Sequence, residues 1–274
     1  MSLSLGQKAG WGLADMGIVV FVIVKQLLIL VFMNSFLGIP IALAGAVTTA
    51  VLIFDIITDP IIGYFSDKTV SRFGRRAPWM LLGAVVLALA MIGLFAVPEN
   101  FTTNASLIWV IIFFLISTLG FTMVSIPYGA MAGEMTLDKK ERSSMTAWRM
   151  AFASLGILVG GALIPILAGD TQSGYTFAAI CVAPLIILSI WFSVFFTRNA
   201  PRTLVPSQQN FSYILKLVFA NRAFVTLVIL YGIMTLAIAL ITAGLPFAAM
   251  YLILDDGNSL LSGVAKGLGT LSLM

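Results

Sequence analysis

The chain has 274 residues, of which 60% are hydrophobic and only 9% charged, with 24 glycines and a net charge of +4. A soluble domain is roughly one quarter charged, so this composition excludes an ordinary soluble enzyme, a disordered chain and a secreted disulfide scaffold. Histidine is absent and Cys181 is the single cysteine, which removes imidazole metal sites, imidazole proton relays and internal disulfides.

Apolar runs of about 20 residues predict membrane helices, the one open structure that satisfies its own backbone in lipid. In chain order they cover 11–36, interrupted by Asp15, Lys25 and Asn34, then 41–65, which holds Asp55 and Asp59. Further runs cover 79–97, 106–132, 146–168 and 175–197. The stretch 198–222 contains Pro201, Pro206 and a polar run, then Phe211, Ile214, Leu215 and Val218 at helical spacing. It reads as a cytoplasmic linker with a short interfacial helix. A seventh span covers 223–254, and 260–274 is too short to cross, so it reads as a partial eighth helix. The expected architecture is all-α transmembrane: a six-helix bundle over 1–197, the linker over 198–222, and the truncated start of a second bundle over 223–274.

Charge between the runs alternates. Lys8 precedes the first span; Lys68, Arg72, Arg75 and Arg76 follow the second; Lys139, Lys140 and Arg142 follow the fourth; Arg198, Arg202, Lys216 and Arg222 follow the sixth. The other connections carry Glu99, Asp170, Asp255 and Asp256 and no basic residue. This positive-inside pattern predicts a multi-pass inner-membrane protein with its N-terminus in the cytoplasm. The positive charge is thereby a topology signal, and a nucleic-acid partner is not expected.

The strongest chemical feature lies in the second run, Asp55-Ile-Ile-Thr58-Asp59-Pro60. Residues four apart share a helix face, roughly 5–6 Å between their roots. Two carboxylates so close in low dielectric demand a proton or a cation between them, and Thr58 adds a further oxygen. The bland alternative is an acid pair clamped by Lys25 or Arg149. Intramembrane acids are usually functional, which favours a cation site of Asp55 and Asp59 taking sodium or a proton. Lys25 sits mid-span, where it cannot snorkel, and is expected to face a cavity and pair with Asp59 or Asp55. Asp15 reads either as a helix-end charge near Lys8 or as a cavity group. Trp148 reads as an interface aromatic, and Gly156, Gly160 and Gly161 as close helix packing.

The hairpin that follows, Gly63-Tyr-Phe-Ser-Asp67-Lys68-Thr-Val-Ser-Arg72-Phe-Gly74-Arg75-Arg76-Ala-Pro78-Trp79, resembles the signature loop of the major facilitator superfamily. With Asp55…Thr58-Asp59-Pro60, Ile126-Pro127-Tyr128, Leu137-Asp138-Lys139-Lys140-Glu141-Arg142 and Trp148-Arg149, it resembles the melibiose-permease-like glycoside–pentoside–hexuronide:cation symporters. The resemblance covers the N-terminal part of that family's twelve-helix length. It implies a major facilitator fold, no cofactor and no catalytic residue. It implies a coupling cation at Asp55, Thr58, Asp59 and Thr122, a substrate cavity reached by Lys25, Ser125 and Arg149, and gating charges at Asp67, Arg75, Arg76, Glu134, Asp138 and Arg142. The galactoside-binding positions depart: Val19 and Ser125 stand where melibiose permease has aspartates, and Gly129 where it has tryptophan.

The expected function is cation-coupled symport of a small solute, a sugar or glycoside by resemblance, through alternating access in a lipid bilayer. Its rivals are a proton-coupled transporter, a carrier of lipid or another solute on the same fold, and a truncated membrane scaffold that does not transport. A membrane enzyme ranks last, because no nucleophile–base pair occurs in the sequence.

Overall fold

The computed structural model describes residues 3–169, 171–200 and 220–248, and these are helical apart from their connections. Among the described residues six helices are long and apolar enough to cross a bilayer: α1 (Leu5–Phe36), α2 (Ile41–Lys68), α3 (Ala77–Phe95), α4 (Thr103–Met135), α5 (Lys139–Ala168) and α6 (Gln172–Thr197). A seventh, α7 (Arg222–Ala248), follows. The expected interfacial helix at 211–218 and partial helix at 260–274 lie outside the described residues.

Most helices begin before their apolar runs, because polar side chains there satisfy the first amides. Ser4 and Gln7 form a reciprocal capping box ahead of α1, and Thr102 and Thr171 cap α4 and α6. Asp138 accepts from the amides of Lys140 and Glu141, so α5 starts well outside the apolar stretch. The α1–α2 and α2–α3 turns each use a glycine at positive φ, Gly38 at 62° and Gly74 at 95°, a region open to a residue without Cβ.

Two spans are not regular. α1 widens into π-helical turns at Val24–Leu28 and Phe32–Phe36, and α5 does so at Val159–Leu163. Such insertions rotate the side chains beyond them and are frequent at functional sites.

The bundle is organised around α1, which packs chiefly on α5 and α6, while α3 packs on α4 and α6, and α2 on α4. In its most apolar window 67% of α1 is buried, against 22% for α2 and 28% for α5. The core therefore runs along α1 through Phe21, Phe32 and Met33 to Phe95 and Phe114. α2 turns Ile53, Ile56 and Ile57 outward. Within the bundle, glycines set the closest approaches: a Cβ on Gly156 would meet the Met16 carbonyl at 2.6 Å, and one on Gly120 the Leu87 amide at 2.6 Å.

Candidate functional site

α1, α2 and α4 bring three of the sequence-derived cation residues together inside the membrane. Lys25, in the first π turn of α1, donates to Asp55 Oδ2 at 2.6 Å. Thr122 Oγ1, on α4, donates to Asp55 Oδ1 at 3.0 Å. Both oxygens of Asp55 are thereby engaged. The side chains of Lys25 and Asp55 are 11% and 16% exposed, so the pair is largely out of water. The Lys25 ammonium also lies 5.8 Å from the centre of the Phe121 ring, a second favourable surface for its charge.

Asp59 lies one turn along α2 from Asp55, within electrostatic reach of Asp55, Lys25 and Thr122. Its buried Oδ1 has no hydrogen-bond partner among the described residues. Thr58 does not join this group: its hydroxyl donates back to the Phe54 and Asp55 carbonyls of its own helix. Among the described residues no three carboxylate or thiolate groups converge. An ion here has two carboxylates and the Thr122 hydroxyl to meet, and the Lys25 ammonium already sits against one of them.

A second ion pair joins α1 to α5, with its acid buried and its arginine side chain 41% exposed. Arg149 Nε on α5 donates to Asp15 Oδ2 at 3.1 Å, and Asp15 is only 2% exposed. The guanidinium stands 5.6 Å over the Tyr128 ring, which stacks on Trp11 at 4.7 Å and 16°. Arg149 thus serves Asp15 and not the acids of α2. The sequence signal for this was present: two opposite intramembrane charges each need a partner. Asp15 and Arg149 are 134 residues apart in the chain, and only the α1–α5 packing joins them. Lys8, the other candidate for Asp15, pairs with Glu141 at 2.8 Å. On α4, Ser125 is half-buried one turn from Thr122, and Gly129, a turn further, faces open space.

The hairpin charges form a third cluster. Arg76 reaches Asp67 at 2.8 Å and Glu134 at 2.9 Å, and Arg75 reaches Glu134 at 3.1 Å. Four of the six gating positions therefore tie the end of α2, the start of α3 and the end of α4 together. The other two sit apart: Asp138 caps α5, and Arg142 donates to the Thr136 carbonyl at 3.1 Å.

These elements match a known family over residues 10–272, described as MFS/sugar transport protein. The chain belongs to that family. It is 30% identical over 239 residues to the uncharacterized symporter YjmB of Bacillus subtilis, covering 83% of this chain and 51% of YjmB. It is 30% identical over 225 residues to an Escherichia coli protein provisionally named glycoside/cation symporter YagG, covering 80% and 48%. It is 27% identical over 216 residues to the inner membrane symporter YicJ of the same organism, covering 76% and 47%. The family and these named relatives are transporters and not enzymes. The chain spans about half the length of each relative.

Proposed function

We propose that this chain supplies the cation-handling half of a symporter that moves a small polar solute across an inner membrane, with its N-terminus in the cytoplasm. The observation that carries the reading is Asp55, a carboxylate inside a span, held between Lys25 of α1 and Thr122 of α4 with Asp59 a turn away. A structural salt bridge needs one acid. A second acid on the same face, with a buried oxygen unengaged, is the arrangement of a group that takes up a cation.

If the coupling ion is sodium, it and the Lys25 ammonium compete for Asp55. Ion entry displaces Lys25, neutralises the acid pair and leaves an ammonium facing the cavity. Because Lys25 belongs to α1 and the acids to α2, the exchange changes how these helices are tied. Solute and ion then favour the same state, and the coupling is reciprocal: solute raises ion affinity by the factor by which ion raises solute affinity. Alternating access follows from rocking of this bundle against a second, in the manner of transporters built from repeats. The solute class, a sugar or glycoside, rests on the family and on the name of the relative YagG. Ser125 and the open space at Gly129 are where a hydroxylated solute would be met, with Arg149 beyond them.

One observation favours the proton as coupling ion. With Asp55 already neutralised by Lys25, a single proton on Asp59 completes charge balance, and no further oxygen ligands are needed. Sodium titration of the 274-residue chain by calorimetry, with a proton-release readout and Asp59→Asn as control, tests both. Saturable sodium heat that vanishes in the variant supports sodium. Proton uptake without sodium heat, lost in the same variant, supports the proton. Neither signal from folded protein sinks the cation reading.

A further inference from the structure

A groove of about 820 Å³ lies away from the acid pair, between the α2–α3 hairpin and the outer face of α6. Its walls are Leu81 of α3 and Leu188, Trp191, Phe192 and Phe195 of α6. Trp191, Phe192 and Phe195 are 43%, 49% and 53% exposed, so this apolar surface faces lipid and not the bundle core. The Trp191 indole donates to the Leu81 carbonyl at 3.2 Å, which fixes the two helices as one floor.

The mouth of the groove is basic. Arg72 and Arg198 line it, and each guanidinium lies against an aromatic neighbour, Arg72 at 5.1 Å over Phe73 and Arg198 at 4.4 Å over Phe195. Neither has a carboxylate within salt-bridge distance among the described residues. The contrast with their neighbours is informative. Arg75 and Arg76 are neutralised by Glu134 and Asp67, and Lys68 is turned onto Tyr64. Two arginines are held by ring faces, with no side-chain hydrogen bond to another described residue, above an apolar slot open to the bilayer.

We propose that this groove binds an anionic phospholipid, with its phosphate on Arg72 and Arg198 and an acyl chain along Leu188 and Phe192. Guanidinium groups match phosphate geometry with paired N–H donors, and basic pockets at helix ends beside the headgroup layer favour anionic lipids. The following chain segment is the rival occupant, since it begins beside Arg198. Residues 201–219 carry Arg202 and Lys216 and no acid, so docking them here would add positive charge to positive charge. Charge complementarity selects the lipid. The inference needs only that the six helices span a bilayer, and is independent of the coupling ion.

Trp191 provides the probe. The chain is reconstituted in vesicles containing dibrominated phosphatidylglycerol or dibrominated phosphatidylcholine in an otherwise zwitterionic background. Trp191→Phe supplies the fluorescence of the other four tryptophans for subtraction. The expected result is preferential quenching of Trp191 by the brominated anionic lipid, an enrichment on the order of tenfold that falls as salt is raised. Arg72→Gln with Arg198→Gln abolishes the preference, while Lys139→Gln with Lys140→Gln, exposed at the start of α5, retains it. Circular dichroism checks that each variant keeps its helices. Equal quenching by both lipids would mean an ordinary lipid-facing surface and overturn the proposal. Absence of quenching by either would mean that the chain itself covers the groove, and overturns it equally.

Discussion

Asp55 spends one oxygen on Lys25 and the other on Thr122, so the residue that replaces Lys25 decides what the acid pair must do next. In Lys25→Met, Asp55 and Asp59 share a low-dielectric helix face with no ammonium beside them. Leaving a buried charge without its partner costs about 3–5 kcal/mol. An ion that binds the folded acids returns part of that by mass action. The expected outcome is a lower melting temperature in choline chloride, with a larger rise on exchange to sodium chloride than the parent chain shows. An equal sodium response in both proteins would mean that Lys25 does not stand where the ion binds. The candidate site was legible in the sequence as far as single helices reach. Asp55 and Asp59 declare themselves because two acids on one face of an apolar run have no structural excuse, and Lys25 because it cannot snorkel. The choice of Asp55 over Asp59 as its partner was not legible, since the two acids lie one turn apart on α2 and only the packing of the helices selects between them. Nor was the pairing of Asp15 with Arg149, which depends on the depth at which α5 meets α1.

The spans themselves were readable from hydropathy and their ends were not. An apolar run marks where lipid contacts begin, whereas a helix ends where its last amide or carbonyl finds a partner, as at Ser4, Thr102, Asp138 and Thr171. The π turns were not read from the sequence either, although they hold Lys25 and Gln26, Asn34 and Ser35, and Gly160 and Gly161, the polar and small residues of their spans. Helix packing sits between these cases. Gly156 reads as a packing residue from its spacing, but its partner is known only from the fold. A Cβ there would meet the Met16 carbonyl at 2.6 Å and Val19 at 3.0 Å. Backbone cannot yield as a side-chain tip can, so α1 and α5 must separate. Gly156→Ala is expected to destabilise the bundle by about 1–3 kcal/mol. Gly129→Ala, whose Cβ meets nothing within 4 Å, is expected to be neutral or slightly stabilising through helix propensity. Thermal unfolding in one detergent compares the two directly. Equal effects would mean that the α1–α5 contact is looser than these distances imply.

At the scale of the whole molecule, the charges divide the bundle into a tied end and an open middle. α1 is the most enclosed of the six spans, α2 and α5 are the least buried in their apolar windows, and the hairpin cluster clamps α2, α3 and α4 at the basic end. The clamp therefore sets how freely α2 can move against α3 and α4. Glu134 is its centre, because it receives both Arg75 and Arg76 while Asp67 holds Arg76 alone. Glu134→Gln keeps the shape and removes the charge. Hydrogen bonds to charged groups contribute about 2 kcal/mol each, and Arg76 retains Asp67, so the bundle is expected to stay folded while the hairpin loosens. Amide hydrogen exchange should rise roughly thirtyfold over 69–76, the factor that about 2 kcal/mol gives. It should stay unchanged around Val97 at the opposite end. Glu99→Gln, an exposed acid at that opposite end, should leave both regions as they are. A rise spread over all helices would identify Glu134 as a stabiliser of the whole bundle, and no rise would mean that Asp67 alone holds the clamp. A rise confined to 69–76 would mark a corner that opens locally without the bundle unfolding.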